Sequence, residues 1–176
     1  MQDFFNLRKQ LAFYQWYHQT PGNVAIHTVF VPVILYSAMV MLHHVHIYKD
    51  VTLMEIVAVL LSVYYLILDV PVGLLAALII TGVSYGIEQG PLDLRLWIAA
   101  VVFAVGWICQ FLGHAYYEHR RPALLDNLVQ SLMTAPFFVL FEVLFKLNLC
   151  KRLQADLEVE HQRRVAEENE RSLLNP

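Results

Sequence analysis

Charge is scarce in this chain and cysteine nearly absent. Only 15% of its 176 residues are Asp, Glu, Lys or Arg, against about 25% in an ordinary soluble domain. Together with 58% hydrophobic content and a mean hydropathy of +0.51, that scarcity excludes a conventional soluble fold and points to a multi-pass membrane protein. Two cysteines, Cys109 inside an apolar run and Cys150, make no disulfide framework and report no redox compartment. There is no basic stripe with interleaved aromatics and the net charge is only -3, so nucleic acid is set aside as a partner. The opening MQDFFNLRKQLAFYQWYH lacks the basic and apolar regions and the cleavage site of a secretory signal, which leaves targeting to the first membrane segment. No internal repeat is visible.

What the chain does have is long apolar runs. Residues 24–43 can cross about 30 Å of hydrocarbon at about 1.5 Å per residue. Residues 53–68 and 72–87 are shorter and joined only by Asp69, Val70 and Pro71, which makes them antiparallel neighbours. Residues 96–113 form a fourth span. A fifth apolar segment, 128–149, is interrupted by Pro136 and carries Gln130 and Glu142, so it either crosses or dips in and returns. The expected fold is therefore all-α: a transmembrane bundle of about four spanning helices, a broken or re-entrant fifth segment, and an amphipathic N-terminal helix. That first helix is read from Phe4, Leu7, Leu11, Tyr14 and His18, one stripe at spacings of three and four with Asp3 able to cap it. Residues 1–153 are expected to be the membrane domain and 154–176, charged with both signs, a solvated tail. A cytoplasmic N-terminus with a re-entrant fifth segment gathers ten of the twelve basic residues on the cytoplasmic side.

In that topology the start of span 1 and the end of span 4 face the same side. His18, Asn23 and His27 then share a membrane level with His114 and Glu118. Gln110, His114 and Glu118 stand at i, i+4 and i+8 and so project from one helix face, Gln110 deepest. Ionisable groups at that depth are costly unless paired, facing a cavity or bound to metal. Three imidazoles and a carboxylate suit a divalent transition metal, Fe(II) or Zn(II) in particular, while Asn23 and Gln110 suit capping or orienting a ligand. Arg120 and Arg121 read as topological charges that a fatty carboxylate could also use. The denser cluster His43, His44 and His46 lies about 25 Å from His27 at the helical rise and reads as interfacial. On the residues alone, a di-iron lipid hydroxylase or desaturase, a bis-histidine haem protein and a non-catalytic lipid-binding scaffold also stay open.

HQTPGNVAIHTVFVP at 18–32, and QFLGHAYYEHRRPALLDNLVQSL at 110–132 followed by APFFVLFEVLF, resemble the small membrane family of 2-hydroxy fatty acid dioxygenases of phytosphingosine breakdown. The resemblance runs from about residue 7 to 153 and is strongest to the fungal endoplasmic reticulum type. It rests on H-x4-N-x3-H together with Q-x3-H-x3-E-x3-P-A-L. It implies an Fe(II)-dependent oxygenase of the endoplasmic reticulum membrane, taking a 2-hydroxy fatty acid and O2 to the acid one carbon shorter with release of CO2. The matching positions are His18, Asn23, His27, Gln110, His114 and Glu118, with Pro122 shaping the following turn. His18, His27 and His114 are the expected ligands, Glu118 either a fourth ligand or the group that orients an imidazole. The hydroxyl and carboxylate of a 2-hydroxy acid can chelate such an iron, its hydrocarbon staying between the spans so that depth measures chain length.

Overall fold

The computed structural model describes residues 4–118 and 128–174, without the side chains of 128–130, 164 and 167–174. Helix α1 covers Leu7–Tyr17, α2 Pro21–His43, α3 Leu53–Leu68, α4 Val70–Glu88, α5 Leu96–Gly113, α6 Leu128–Lys146 and α7 Lys151–Leu174. A two-stranded ribbon, β1 (His46–Tyr48) paired antiparallel with β2 (Val51–Thr52), turns the chain between α2 and α3. The architecture is a membrane helical bundle. Among the described residues three helices are long and apolar enough to cross a bilayer: Pro21–His43, Val70–Glu88 and Leu96–Glu118. The apolar α3 is shorter, and α6 with α7 forms a pair bent by 110°.

The local chemistry accounts for most boundaries. Asn6 caps α1 by accepting from Lys9 N–H at 3.1 Å; Asp3, the expected cap, lies outside the described residues. Thr52 and Glu55 close a capping box on α3. Asp69 ends α3 and starts α4, its carboxylate accepting from Val72 N–H at 2.9 Å. One residue thus serves two helix ends, and α3 and α4 return as a tight hairpin. Asn23 does not cap span 1 as expected, because Pro21 at the first helical position draws the start of α2 back to Thr20.

Helices α2 and α5 approach most closely where α5 has no side chains. A Cβ on Gly106 would lie 2.6 Å from Ile34 Cγ1, and one on Gly113 would lie 2.7 Å from Asn23 Oδ1. Small residues allow membrane helices to pack backbone to backbone, where no hydrophobic drive separates helix from lipid. Tyr65, Phe137, Phe138 and Phe141 centre the core on the α3–α6 contact, with Tyr65 and Phe137 stacked at 4.6 Å. The opposite faces carry Val59, Leu60, Leu78, Val101 and Ile108, all more than half exposed. An apolar surface of that extent is a lipid-facing one.

Pro136 stays inside α6 rather than ending it. The break comes later, where Asn148 and Cys150 take left-handed backbone conformations with φ of 59° and 55°. That turn sends α7 back across α1. Leu157 is buried, Arg8 pairs with Asp156 at 2.8 Å, and the rings of Trp16 and His161 lie 6.1 Å apart. The boundary expected at 153–154 lies within α7, whose first half buries Leu157 and is otherwise largely exposed.

Candidate metal centre

His18 is the C-cap of α1, His27 lies on the second turn of α2, and His114 follows α5 directly. Nearly ninety residues separate the last two, yet the three rings form one cluster. Their centroids are 4.2 Å apart for His18 and His27, 4.8 Å for His18 and His114, and 4.9 Å for His27 and His114, each pair edge to face. One nitrogen from each ring lies within 4.8 Å of the other two. Among the described residues this is the group of His, Cys, Asp and Glu side chains able to hold a metal ion.

Hydrogen bonds set the tautomers. His18 Nδ1 lies 2.8 Å from the carbonyl of Tyr14, and His27 Nδ1 lies 3.0 Å from that of Asn23. A carbonyl only accepts, so both Nδ1 atoms carry hydrogen and both Nε2 atoms keep a lone pair. Stacking on Tyr14 at 3.9 Å fixes the His18 ring further. Burial, and then the neighbouring His27, hold His18 well below the ordinary imidazole pKa, which keeps that ring neutral. His18 Nε2 and His114 Nδ1 are buried without a hydrogen-bond partner. Unpaired buried nitrogens are rare and costly, and three imidazoles converging on one point are the donor set of a transition-metal site.

Glu118 does something else. Its Oε1 accepts from Gln19 N–H (3.0 Å), Thr20 N–H (3.0 Å), Thr20 Oγ1–H (2.9 Å) and Asn23 Nδ2–H (3.1 Å). Four donors on one oxygen pin the corner between α1 and α2 to the end of α5. The i, i+4, i+8 face expected of Gln110, His114 and Glu118 does not persist, because His114–Glu118 is a π-helical turn. Its wider winding rotates Glu118 out of line with His114 and toward the corner. Glu118 is accordingly absent from the histidine group. No local pattern in the sequence announces that turn.

Below the histidines lies a cavity of about 380 Å³, within the range of small-molecule sites, ~300–1,000 Å³. His18, His27 and His114 line its mouth. Its wall follows α2 through Val31, Ile34, Leu35 and Ala38, α5 through Gln110, Trp107 and Phe103, and α3 through Leu61 and Val57. Ser131 to Pro136 and Phe138 close the α6 side. Along α2, His27 and Ala38 are eleven residues apart, a depth of about 16 Å. Ser131 and the α6 wall were not among the residues picked out from sequence; their polar and apolar order there carries no motif.

Asn23 and Gln110 are both buried, at 0% and 5% exposure. Asn23 holds Glu118 with its amide, and Gln110 lines the cavity. His43 and His44 end α2 and His46 opens β1, at the other end of the bundle. Arg120, Arg121 and Pro122 lie outside the described residues, as does His119.

A lipid-facing helical bundle with three clustered imidazoles lining a mostly apolar cavity defines a class: a membrane protein whose histidines could hold a metal ion beside room for a hydrocarbon chain. Residues 4–147 match the family described as 2-hydroxy-palmitic acid dioxygenase Mpo1-like, and the chain belongs to that family. It is 48% identical over 153 residues to the 2-hydroxy-palmitic acid dioxygenase MPO1 of Saccharomyces cerevisiae, covering 87% of this chain and 88% of the yeast protein. No solved structure matches the chain.

Proposed function

We propose that this protein is an Fe(II)-dependent dioxygenase of long-chain 2-hydroxy fatty acids. The reaction takes R–CH(OH)–COOH and O2 to R–COOH, CO2 and H2O, so the C1–C2 bond breaks and C2 becomes the new carboxyl carbon. One observation carries the reading: three imidazoles with open nitrogens stand at the mouth of a cavity about 16 Å deep and otherwise mostly apolar. The yeast relative's name supplies the substrate class.

His18, His27 and His114 are the iron ligands in this reading. Iron suits the reaction better than zinc because O2 chemistry needs a redox-active ion, and zinc has no redox chemistry of its own. When bound, it supplies a Lewis acid for the hydroxyl and carboxylate and an electron source for O2. The chain's own groups do the positioning. Tyr14 and Asn23 carbonyls orient two of the imidazoles, and Glu118 fastens the corner that carries His18 to the π turn that carries His114. The cavity walls keep water from the acyl chain, each buried CH2 contributing about 0.8 kcal/mol.

A silent scaffold would need its histidines to satisfy one another, whereas His18 Nε2 and His114 Nδ1 have no partner. A di-iron site would need a second cluster beside the first, and His43, His44 and His46 are at the far end of α2. The protein is placed by this reading in the endoplasmic reticulum membrane, with the iron site, the N-terminus and α7 on the cytoplasmic side and the shortened fatty acid feeding sphingolipid and fatty acid metabolism. The test is iron analysis of purified wild type and of His18→Ala, His27→Ala and His114→Ala, with an assay for one-carbon shortening of 2-hydroxypalmitate. One iron per wild-type chain with loss in each variant is the expected result; wild-type iron and turnover in all three variants would sink the assignment.

A further inference from the structure

A carboxylate is an awkward guest in this cavity. Among the described residues that line it there is no Lys or Arg. An anion taken from water into such a place needs hydrogen-bond donors as well as a counter-charge. Two side chains offer them. Gln110 Nε2 and Ser131 Oγ are buried without a hydrogen-bond partner, and both residues line the cavity. Gln110 is 5% exposed and stands one turn deeper on α5 than His114; Ser131 faces the space from α6. An unmade hydrogen bond on a buried amide costs about 1–3 kcal/mol, so a purely structural role at 110 would be filled better by leucine.

We propose that Gln110 and Ser131 form an uncharged clamp that receives the carboxylate of the long-chain 2-hydroxy acid beside the three histidines. This rests on the function proposed above and adds the residues that recognise the acid end of the substrate. The metal supplies the counter-charge; the amide and the hydroxyl supply donors to the carboxylate oxygens. Neutral donors orient the carboxylate without setting a second fixed cation beside the metal. Tyr14 OH is also buried and unpartnered at the cavity, but its ring stacks on His18, so it makes a poor test.

The test separates the acid group from the hydrocarbon. Palmitic acid and 1-hexadecanol share the same chain, and only the first has a carboxylate. Each is titrated against the iron-loaded, full-length protein in lipid nanodiscs, as an inhibitor of 2-hydroxypalmitate turnover and by quenching of Trp107, which lines the cavity. Gln110→Leu and Ser131→Ala should each weaken palmitate about tenfold and hexadecanol less than about twofold, with iron content as in wild type. Gln110→Glu, which sets a like charge against the carboxylate, should weaken palmitate further. Unchanged palmitate binding in both variants, or equal weakening of the acid and the alcohol, overturns the clamp. A wild type that binds palmitate selectively through these residues but does not shorten 2-hydroxypalmitate overturns the proposed reaction and leaves the clamp standing.

Discussion

Thr20 holds Glu118 twice, through its backbone N–H at 3.0 Å and its hydroxyl at 2.9 Å, across 98 positions of sequence. The pairing ties the segment between two histidines to the turn that begins with the third. Removing it should loosen the metal site without emptying the bundle of helix. Glu118→Gln keeps the shape but removes the charge, and we expect iron affinity to fall about 10–100-fold, as for other groups that orient metal ligands. Glu118→Ala should in addition lower thermal stability by about 3 kcal/mol or more, since several bonds to a charged acceptor are lost. Iron titration and circular dichroism of both variants read the two effects; iron affinity unchanged in Glu118→Gln would show that the corner is held by other contacts.

The close approach of α2 and α5 makes a steric prediction. At Gly113 a new Cβ would press on Asn23 Oδ1 and lie 3.3 Å from Ile26, so Gly113→Val should separate the helices that carry His27 and His114. Overpacking of this kind costs about 1–3 kcal/mol. Iron retention should fall with it. Gly106→Ala, against Ile34 farther from the histidines, should lower the melting temperature yet spare iron, and metal analysis alongside thermal unfolding distinguishes the two.

Depth should set chain length. Ala38, Val57 and Phe103 line the end of the cavity away from the histidines. Filling that end with Ala38→Phe should move the preferred substrate to shorter 2-hydroxy acids, each excluded CH2 being worth about 0.8 kcal/mol. Comparing kcat/KM for 2-hydroxy acids of ten to eighteen carbons reads the shift, and an unaltered preference would place the acyl chain elsewhere.

The second histidine cluster supplies a control. His44 Nδ1 bonds to the Val40 carbonyl at 2.9 Å, and His43, His44 and His46 lie at or just past α2's far end. The triple alanine variant should keep wild-type iron and turnover. Loss of one equivalent of iron would require a second metal site.

Much of this arrangement is legible in the sequence because membrane helices are read from length and composition. The runs at 53–68 and 96–113 are helices α3 and α5 to the residue, and parity puts His27 at the membrane level of His114, where the structure sets the two rings 4.9 Å apart. The π turn was not legible: one wider turn after Gly113 changes where Glu118 points, and the donors that hold it there sit at residues 19–23, far away in sequence. The contact of α7 with α1 was hidden for a similar reason, since a helix rich in both charges shows Leu157 as buried only once the two helices pack together. Ser131 escaped notice because a lone serine before a proline-bearing apolar stretch carries no signal until a cavity gives it a direction.

A pocket of fixed depth also settles how the enzyme lets go. After cleavage the alkyl chain is unchanged but the head group is one carbon shorter and has lost its hydroxyl, so an acid seated against the far wall no longer reaches the histidines as its precursor did. The adjacent hydroxyl and carboxylate oxygens of the substrate are no longer both there. Turnover therefore shrinks the ligand out of its own measure, and the shortened acid slides into the surrounding bilayer with no moving lid required.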